Sequence, residues 1–173
     1  MKESTLHKEK PLKILREALE CRISQSIDFN AHALILEMLR KEESHSIIVT
    51  PWDMSIECNC VMYALGLLFE PASSPMGRYY ANTTFVQNLI ETGLIAENMI
   101  PAEGDLVVYY KERRVAHIGI FLHHDRVRSK WGIGHLYEHE TWEVPSTYGD
   151  EIRRFSPIDP EVAMGALRKF NSV

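Results

Sequence analysis

At Pro101 the apolar residues of this chain change their period, and that change limits the possible folds more than any other feature. Before it, apolar side chains recur at helical spacing. Leu12, Leu15, Ala18 and Leu19 predict a helix over residues 10–24, and Ala33, Leu34, Leu36 and Leu39 predict a second, capped by Asn30. A third is expected over 83–92, ended by Gly93. After Pro101, short runs of β-branched and aromatic residues alternate with polar turns. Residues 106–110, 117–122 and 126–131 read as consecutive strands, and 151–155 can add another. Residues 45–50, stopped by Pro51, predict a short strand or an extended lead-in. The tail places Val162, Ala163, Ala166, Leu167 and Phe170 at helical spacing, so a closing helix is expected over 159–170. Helices first and a β-meander after them make an α+β domain.

At 173 residues and 45% hydrophobic content the chain is the size of one domain with a sizeable core. The expected organisation is a single domain over 1–173: an N-terminal helical extension at 1–45, a core at 46–157 and a C-terminal helix at 158–173. A net charge of −5, with no Lys/Arg run interleaved with aromatics, argues against nucleic acid as a partner. Residues 1–10 are charged and lack the apolar core of a secretory signal. The longest apolar run, 60–69, is too short to cross a bilayer, so no membrane insertion is expected. Three cysteines without a signal point to a reducing, cytoplasmic setting, or to export by a signal-independent route. Cys21 is expected to be a small buried apolar residue. No cofactor and no metal is expected.

The residues that carry chemistry lie on both sides of Pro101. Asn59 is a strong N-cap type, which makes Cys60 the first residue of a helix. Val61, Ala64, Leu65 and Leu68 follow at helical spacing until Pro71 stops it, and Cys58 falls in the turn before. The thiolate is the reactive form of cysteine, and a helix start and a neighbouring imidazole both lower a thiol's pKa. His117, opening an apolar strand, can supply the imidazole. Singly, each residue also reads as an ordinary buried residue. As an ordered pair on the expected elements they point to a thiol nucleophile and its general base. The backbone N–H of Cys60 is then one donor of an oxyanion hole. Trp52 and Tyr63 are candidate cleft walls, with core packing the alternative for both.

Asn59-Cys60 with Ala64-Leu65-Gly66, the turn and strand Gly104-Asp105-Leu106-Val107-Val108-Tyr109, and then His117-Ile118-Gly119-Ile120-Phe121-Leu122 resemble the core of the NlpC-type papain-like cysteine peptidases. That superfamily includes the CHAP amidases and the lecithin–retinol acyltransferase relatives. The resemblance implies a papain-like catalytic core and a Cys60–His117 pair with a polar third residue. It also implies a peptide or amide substrate, peptidoglycan-derived peptides among them, cleaved through an acyl-enzyme.

The family keeps a second histidine on the strand after the base, and here Ser129 stands in that place. If His124-Asp125 form a two-residue turn, Arg128 and Lys130 share the face of His117. A three-residue turn or a bulge puts Ser129 there instead. His139 suits the role chemically but lies further along the chain, and Glu138 is the remaining candidate. His123, His124 and His135 read as solvated turn residues. Three alternatives stay open. Acyl transfer to an acceptor other than water uses the same residues. An inactive binding module is suggested by the replaced third residue. A zinc site from Cys58, Cys60, His117 and His139 would need a spacing shorter than the usual knuckle.

Overall fold

Strands with no polar face must be covered on both sides, and residues 106–110 are such a stretch: every one of them is buried. The computed structural model of the chain describes residues 3–26, 28–53, 58–67, 81–132 and 134–172. It is a mixed α+β structure. Strands β1 (Ile48–Thr50), β2 (Leu106–Lys111), β3 (Arg114–Phe121), β4 (Arg126–Lys130), β5 (Leu136–Glu140) and β6 (Glu151–Phe155) form one open antiparallel sheet in the order β1-β5-β4-β3-β2-β6. Five α-helices surround it: α1 (Glu3–Leu19), α2 (His32–Glu42), α3 (Cys60–Ala64), α4 (Thr83–Glu91) and α5 (Pro160–Phe170). Among the described residues no helix is long and apolar enough to cross a membrane.

The sheet separates two cores. Val107, Tyr109, Phe121, Val127 and Tyr137 pack against Leu15 and Leu19 of α1 and Leu36 and Leu39 of α2. On the other face Leu106, Val108 and Ile118 meet Val61 of α3, Phe85, Val86 and Leu89 of α4, and Ala163 and Leu167 of α5. The N-terminal helical pair therefore covers a sheet face. Asp159 caps α5 by accepting the N–H groups of Glu161 and Val162.

Several elements depart from the sequence expectation. Asn30 does not cap α2; a 3₁₀ turn over Phe29–Ala31 leads into it and no side chain caps it. The first helix passes into a π-helical turn, Glu20–Ser24. Ile23 stays inside with Leu19, one turn earlier, while Cys21 lies between them in sequence, on the far side of the helix, and is exposed rather than buried. The helix starting at Cys60 ends at Ala64. Gly66, at φ 67°, lets the Leu67 N–H close back on the Met62 carbonyl at 2.8 Å, well before Pro71, which lies outside the described residues. Residues 136–140 form β5, which their polar composition hid.

The turn between β3 and β4 decides which side chains share a face. Ile120 pairs with Arg128 and Phe121 with Val127, and the Leu122 N–H bonds the Arg126 carbonyl at 2.9 Å. The loop is thus His123, His124 and Asp125, with His124 in the left-handed region at φ 55°. Three residues put Ser129 and Trp131 on the face of His117, and Arg128 and Lys130 on the face toward α3.

A second fixed point is Gly149, after the 3₁₀ turn Ser146–Tyr148. Its φ is 105°, and a Cβ there would lie 1.9 Å from the Tyr110 carbonyl oxygen. Replacing Gly149 with Ala should lower stability by about 2 kcal/mol or more. Urea denaturation checks this; an unchanged midpoint would contradict the close packing.

Candidate active site

Asn59 holds the start of α3 from both sides. Its Oδ1 accepts the Met62 N–H at 2.9 Å, and its Nδ2 donates to the Ala81 carbonyl at 2.7 Å. Cys60 follows as the first helical residue, half-buried, while Cys58 is buried just before it.

The ladder between β3 and β4 closes for two residue pairs and then parts. Phe121 turns its N–H to the Asp105 carbonyl, on the β2 side, and Leu122 turns to β4. By alternation the Ile118 N–H points to the β4 side, where no pairing is left for it. It lies against the Cys60 thiol instead, together with the N–H groups of Cys60 and Val61. Gly119 permits the strands to come this close before they part: a Cβ there would meet Val127 Cγ1 at 2.7 Å and Ser129 Cβ at 2.9 Å.

His117 sits one residue earlier on β3, beside a bulge in the β2–β3 register at Ala116. It is buried, stacked on Tyr148 with ring centroids 3.9 Å apart and planes at 9°, and flanked by Tyr109 at 5.5 Å. Among the described residues its Nε2 has no hydrogen-bond partner and no exposure, which leaves Nδ1 as the nitrogen able to meet a substrate. Cys60 and His117 line one cavity of about 410 Å³, although no hydrogen bond joins them. Ala116, Trp131, Gly132 and Tyr148 complete the wall on the sheet side. Ile23, Ser24, Gln25, Ser26, Phe29 and His32 close it from the N-terminal segment.

The three candidates for orienting His117 are placed as follows. Glu138 is on the opposite sheet face, paired with Arg128 at 2.6 Å. Ser129 and His139 are both fully buried on the face of His117, but they bond each other. The direction of that network is fixed by its ends. An indole N–H only donates and a carbonyl only accepts. Trp131 Nε1–H therefore donates to Ser129 Oγ at 3.0 Å, Ser129 O–H donates to His139 Nε2 at 2.9 Å, and His139 Nδ1–H donates to the Glu140 carbonyl at 2.7 Å. Both ring nitrogens of His139 are used, so neither residue hydrogen-bonds His117. Aromatic stacking holds the imidazole where a third residue was expected.

The electrostatics favour neutral groups. Burial pushes the Cys60 thiol up to about 11, against the opposing pull of the Ile118, Val61 and Cys60 N–H groups and of Lys130. Burial pushes Cys58 to about 11 as well. His117 is held well below its ordinary value, by burial first and the nearby His139 second. The resting pair is a thiol beside a neutral imidazole, the reverse of the lowered thiol that a helix start suggests.

Four contributors were not legible in the sequence. Tyr148 stacks on His117 and lines the same cavity as Cys60. Arg16 of α1 fixes the segment carrying it by donating to the Val144 and Gly149 carbonyls. Lys130, fully buried, donates to the Gly134 carbonyl and lies 4.9 Å over the Trp52 ring. Burial draws it down to about 8, opposed by the two thiols. The cue available for it was a lysine at an inward strand position. The π turn is the fourth, since it delivers Ile23 and Ser24 to the cavity. Trp52 and Tyr63 touch each other edge-on and do not line the cavity. His135 is not a solvated turn residue: it is buried, donating from Nε2 to the Phe29 carbonyl and accepting the Trp52 N–H at Nδ1. His123 and His124 are exposed at the turn.

Comparison with protein-family models, with curated proteins and with solved structures finds no match to this chain. Among the described residues no three His, Cys, Asp or Glu side chains come together as metal ligands, so the Cys58, Cys60, His117 and His139 set is not assembled.

Two pH effects follow. With the thiol at about 11, alkylation of Cys60 by iodoacetamide should climb about tenfold per pH unit between pH 7 and 10. A plateau below pH 8 would show a resting thiolate instead. His139 is held down to about 4, chiefly by burial, from an ordinary 6.5. The unfolded chain takes that proton near pH 6.5 and the folded chain only below it. Stability is therefore intact above pH 7 and falls as the pH drops from 6.5 toward 4. His139 alone accounts for a loss on the order of 2 kcal/mol between pH 7.5 and 5. Urea titrations across that window measure it, and a flat profile would rule out a buried neutral ring.

Proposed function

We propose that this chain is a papain-like cysteine hydrolase that cleaves an amide or peptide bond, with Cys60 as nucleophile and His117 as general base. The observation that carries the reading is the one cavity shared by a thiol at a helix start and an imidazole on the second strand of the meander. The order of a nucleophile helix followed by an antiparallel meander is also what the family resemblance implies.

In this mechanism the Cys60 proton passes to His117 Nδ1 as sulfur attacks the substrate carbonyl. Apo geometry without a thiol–imidazole hydrogen bond is compatible with that, since such contacts tighten when substrate is present. The Cys60 N–H, at the start of the helix, is the donor proposed for the oxyanion. The amine leaves with the proton from His117, and a thioester remains on Cys60. Water, deprotonated by His117, then releases the acid. Because His117 has no acidic partner among the described residues, its imidazolium is stabilised weakly, and a slow enzyme is expected.

That same lack of a partner supports a second reading, a binding module that keeps the scaffold without turnover. The experiment uses Cys21→Ser protein, a library of free and N-acylated peptides, and labelling by iodoacetamide. Cys60→Ala should abolish turnover and labelling at that position. His117→Ala should lower turnover by about 10²–10⁴-fold. A Cys60 that resists iodoacetamide in the native protein would sink the hydrolase. A labelled Cys60 with peptide binding and no hydrolysis would favour the binding module.

A further inference from the structure

We propose that the cavity between the β2–β3 turn and the start of α4 is a subsite that holds one carboxylate of the peptide substrate, remote from the bond cleaved, and that Arg113 and Arg114 select it. This rests on the reading of Cys60 as the nucleophile of a peptide-cleaving site.

The place of this cavity is the first argument. It has a volume of about 440 Å³, with Thr83, Thr84 and Glu91 of α4 on one side and Arg113, Arg114 and Val115 on the other. It adjoins the cavity of Cys60 and His117 at two points. On β3, Val115 lines one cavity and Ala116, the next residue, lines the other. Between the helices, Asn59 Nδ2 donates to the Ala81 carbonyl at 2.7 Å, which ties the residue before Cys60 to the segment entering α4. Arg114 precedes His117 by three positions on β3, roughly 10 Å at ~3.3 Å per residue. A peptide with its scissile carbonyl at Cys60 covers that distance with about three extended residues.

The charge of the wall is the second. Arg22, Arg128 and Arg153 pair with glutamates, and Arg16, Arg40 and Arg126 donate to backbone carbonyls. Arg113 and Arg114 do neither: among the described residues no hydrogen bond or ion pair engages either guanidinium, and both side chains are exposed. A guanidinium is a planar fork of donors that fits the two oxygens of a carboxylate. Thr83 and Thr84 bring hydroxyls to the same cavity. Glu91 is its acidic residue and accepts from Gln87 Nε2 at 2.9 Å. Glu112 belongs to the turn but not to the wall. Two guanidinia against the Glu91 carboxylate leave a single positive charge uncompensated, which matches one carboxylate and not a dianion.

The turn supplies the direction. Lys111 pairs with Arg114, so the loop is Glu112-Arg113, with both residues in the left-handed region at φ 50° and 66°. Such hairpins ordinarily use Asn-Gly or Asp-Gly, so the turn itself does not call for arginine. The ladder on either side holds the turn and carries both guanidinia beside α4 before substrate arrives, which lowers the cost of binding.

The test follows alkylation of Cys60 by iodoacetamide in Cys21→Ser protein, by peptide mapping, with and without protecting hexapeptides. Each peptide is neutral except for one glutamate, stepped along its length, and has a glutamine and a phosphoserine counterpart. At the best position, glutamate should half-protect Cys60 at about three- to tenfold lower concentration than glutamine, and phosphoserine should gain nothing over glutamate. Arg113→Gln combined with Arg114→Gln should abolish the glutamate preference without changing the alkylation rate of the free protein. Lys13→Gln, which removes a cation on α1, should keep it. Should the double variant fail to fold, Arg113→Gln alone should reduce the preference. Failure of iodoacetamide to label Cys60 in the free protein would overturn the nucleophile assignment itself. Normal labelling with equal protection by glutamate and glutamine, with protection by no peptide, or with a preference that survives the double variant would overturn the subsite alone. Stronger protection by phosphoserine would overturn the single carboxylate as its ligand.

Discussion

A backbone N–H that loses its strand partner turns its dipole on whatever packs beside it, and at Ile118 that neighbour is the Cys60 thiol, whose pKa the N–H acts to lower. The arrangement of the site depends on this contact. Helix α3 packs on one face of the sheet, through Val61 and Leu65, while His117 belongs to the other. A closed β3–β4 ladder would separate the two residues. Because the ladder parts after two pairs, the thiol at the start of α3 reaches the opening and shares a cavity with the imidazole. Gly119 serves the same arrangement from the other side, since any Cβ there would push against Val127 and Ser129 where the strands must stay together.

Burial dominates the charge state of what is gathered there. The favourable N–H groups around Cys60 and the ammonium of Lys130 do not offset the loss of water, so thiol and imidazole rest neutral. His117 is held by the Tyr148 ring, and its Nε2 has no acceptor among the described residues. Orientation by stacking supplies geometry but no charge. In the proposed mechanism such a site would fix where the proton goes while doing little to stabilise the ion that forms, which separates the positioning of a base from its strengthening.

Local signals in the sequence located much of the fold. The Asn59 cap and the apolar run after it place Cys60 at a helix start, and short runs bounded by polar turns mark β2, β3, β4 and β6. Local signals failed where distant contacts decide. Strand β5 is written in glutamate, histidine and tyrosine, and only pairing with β1 and β4 makes it a strand. The bonding of Ser129 to His139 depends on that register, so their chemistry could not tell that each satisfies the other. Tyr148 and His32 come to the cavity from segments remote from Cys60 and His117, one on a 3₁₀ turn and the other at the start of α2. No spacing rule connects them to the pair. Cys21 and His135 reversed their expected burial for a similar reason, the first set by helix phase and the second by partners at Phe29 and Trp52.

The loop His123-His124-Asp125 is exposed, and surface loops ordinarily tolerate changes of length. This one counts residues. Removing a single residue, with β3 unchanged, would rotate β4 by half its period. Ser129 and Trp131 would then exchange places with Arg128 and Lys130, which sets two cations against α1 and α2 and takes the donor to His139 away. The least constrained-looking turn of the meander therefore sets the parity of everything that follows it.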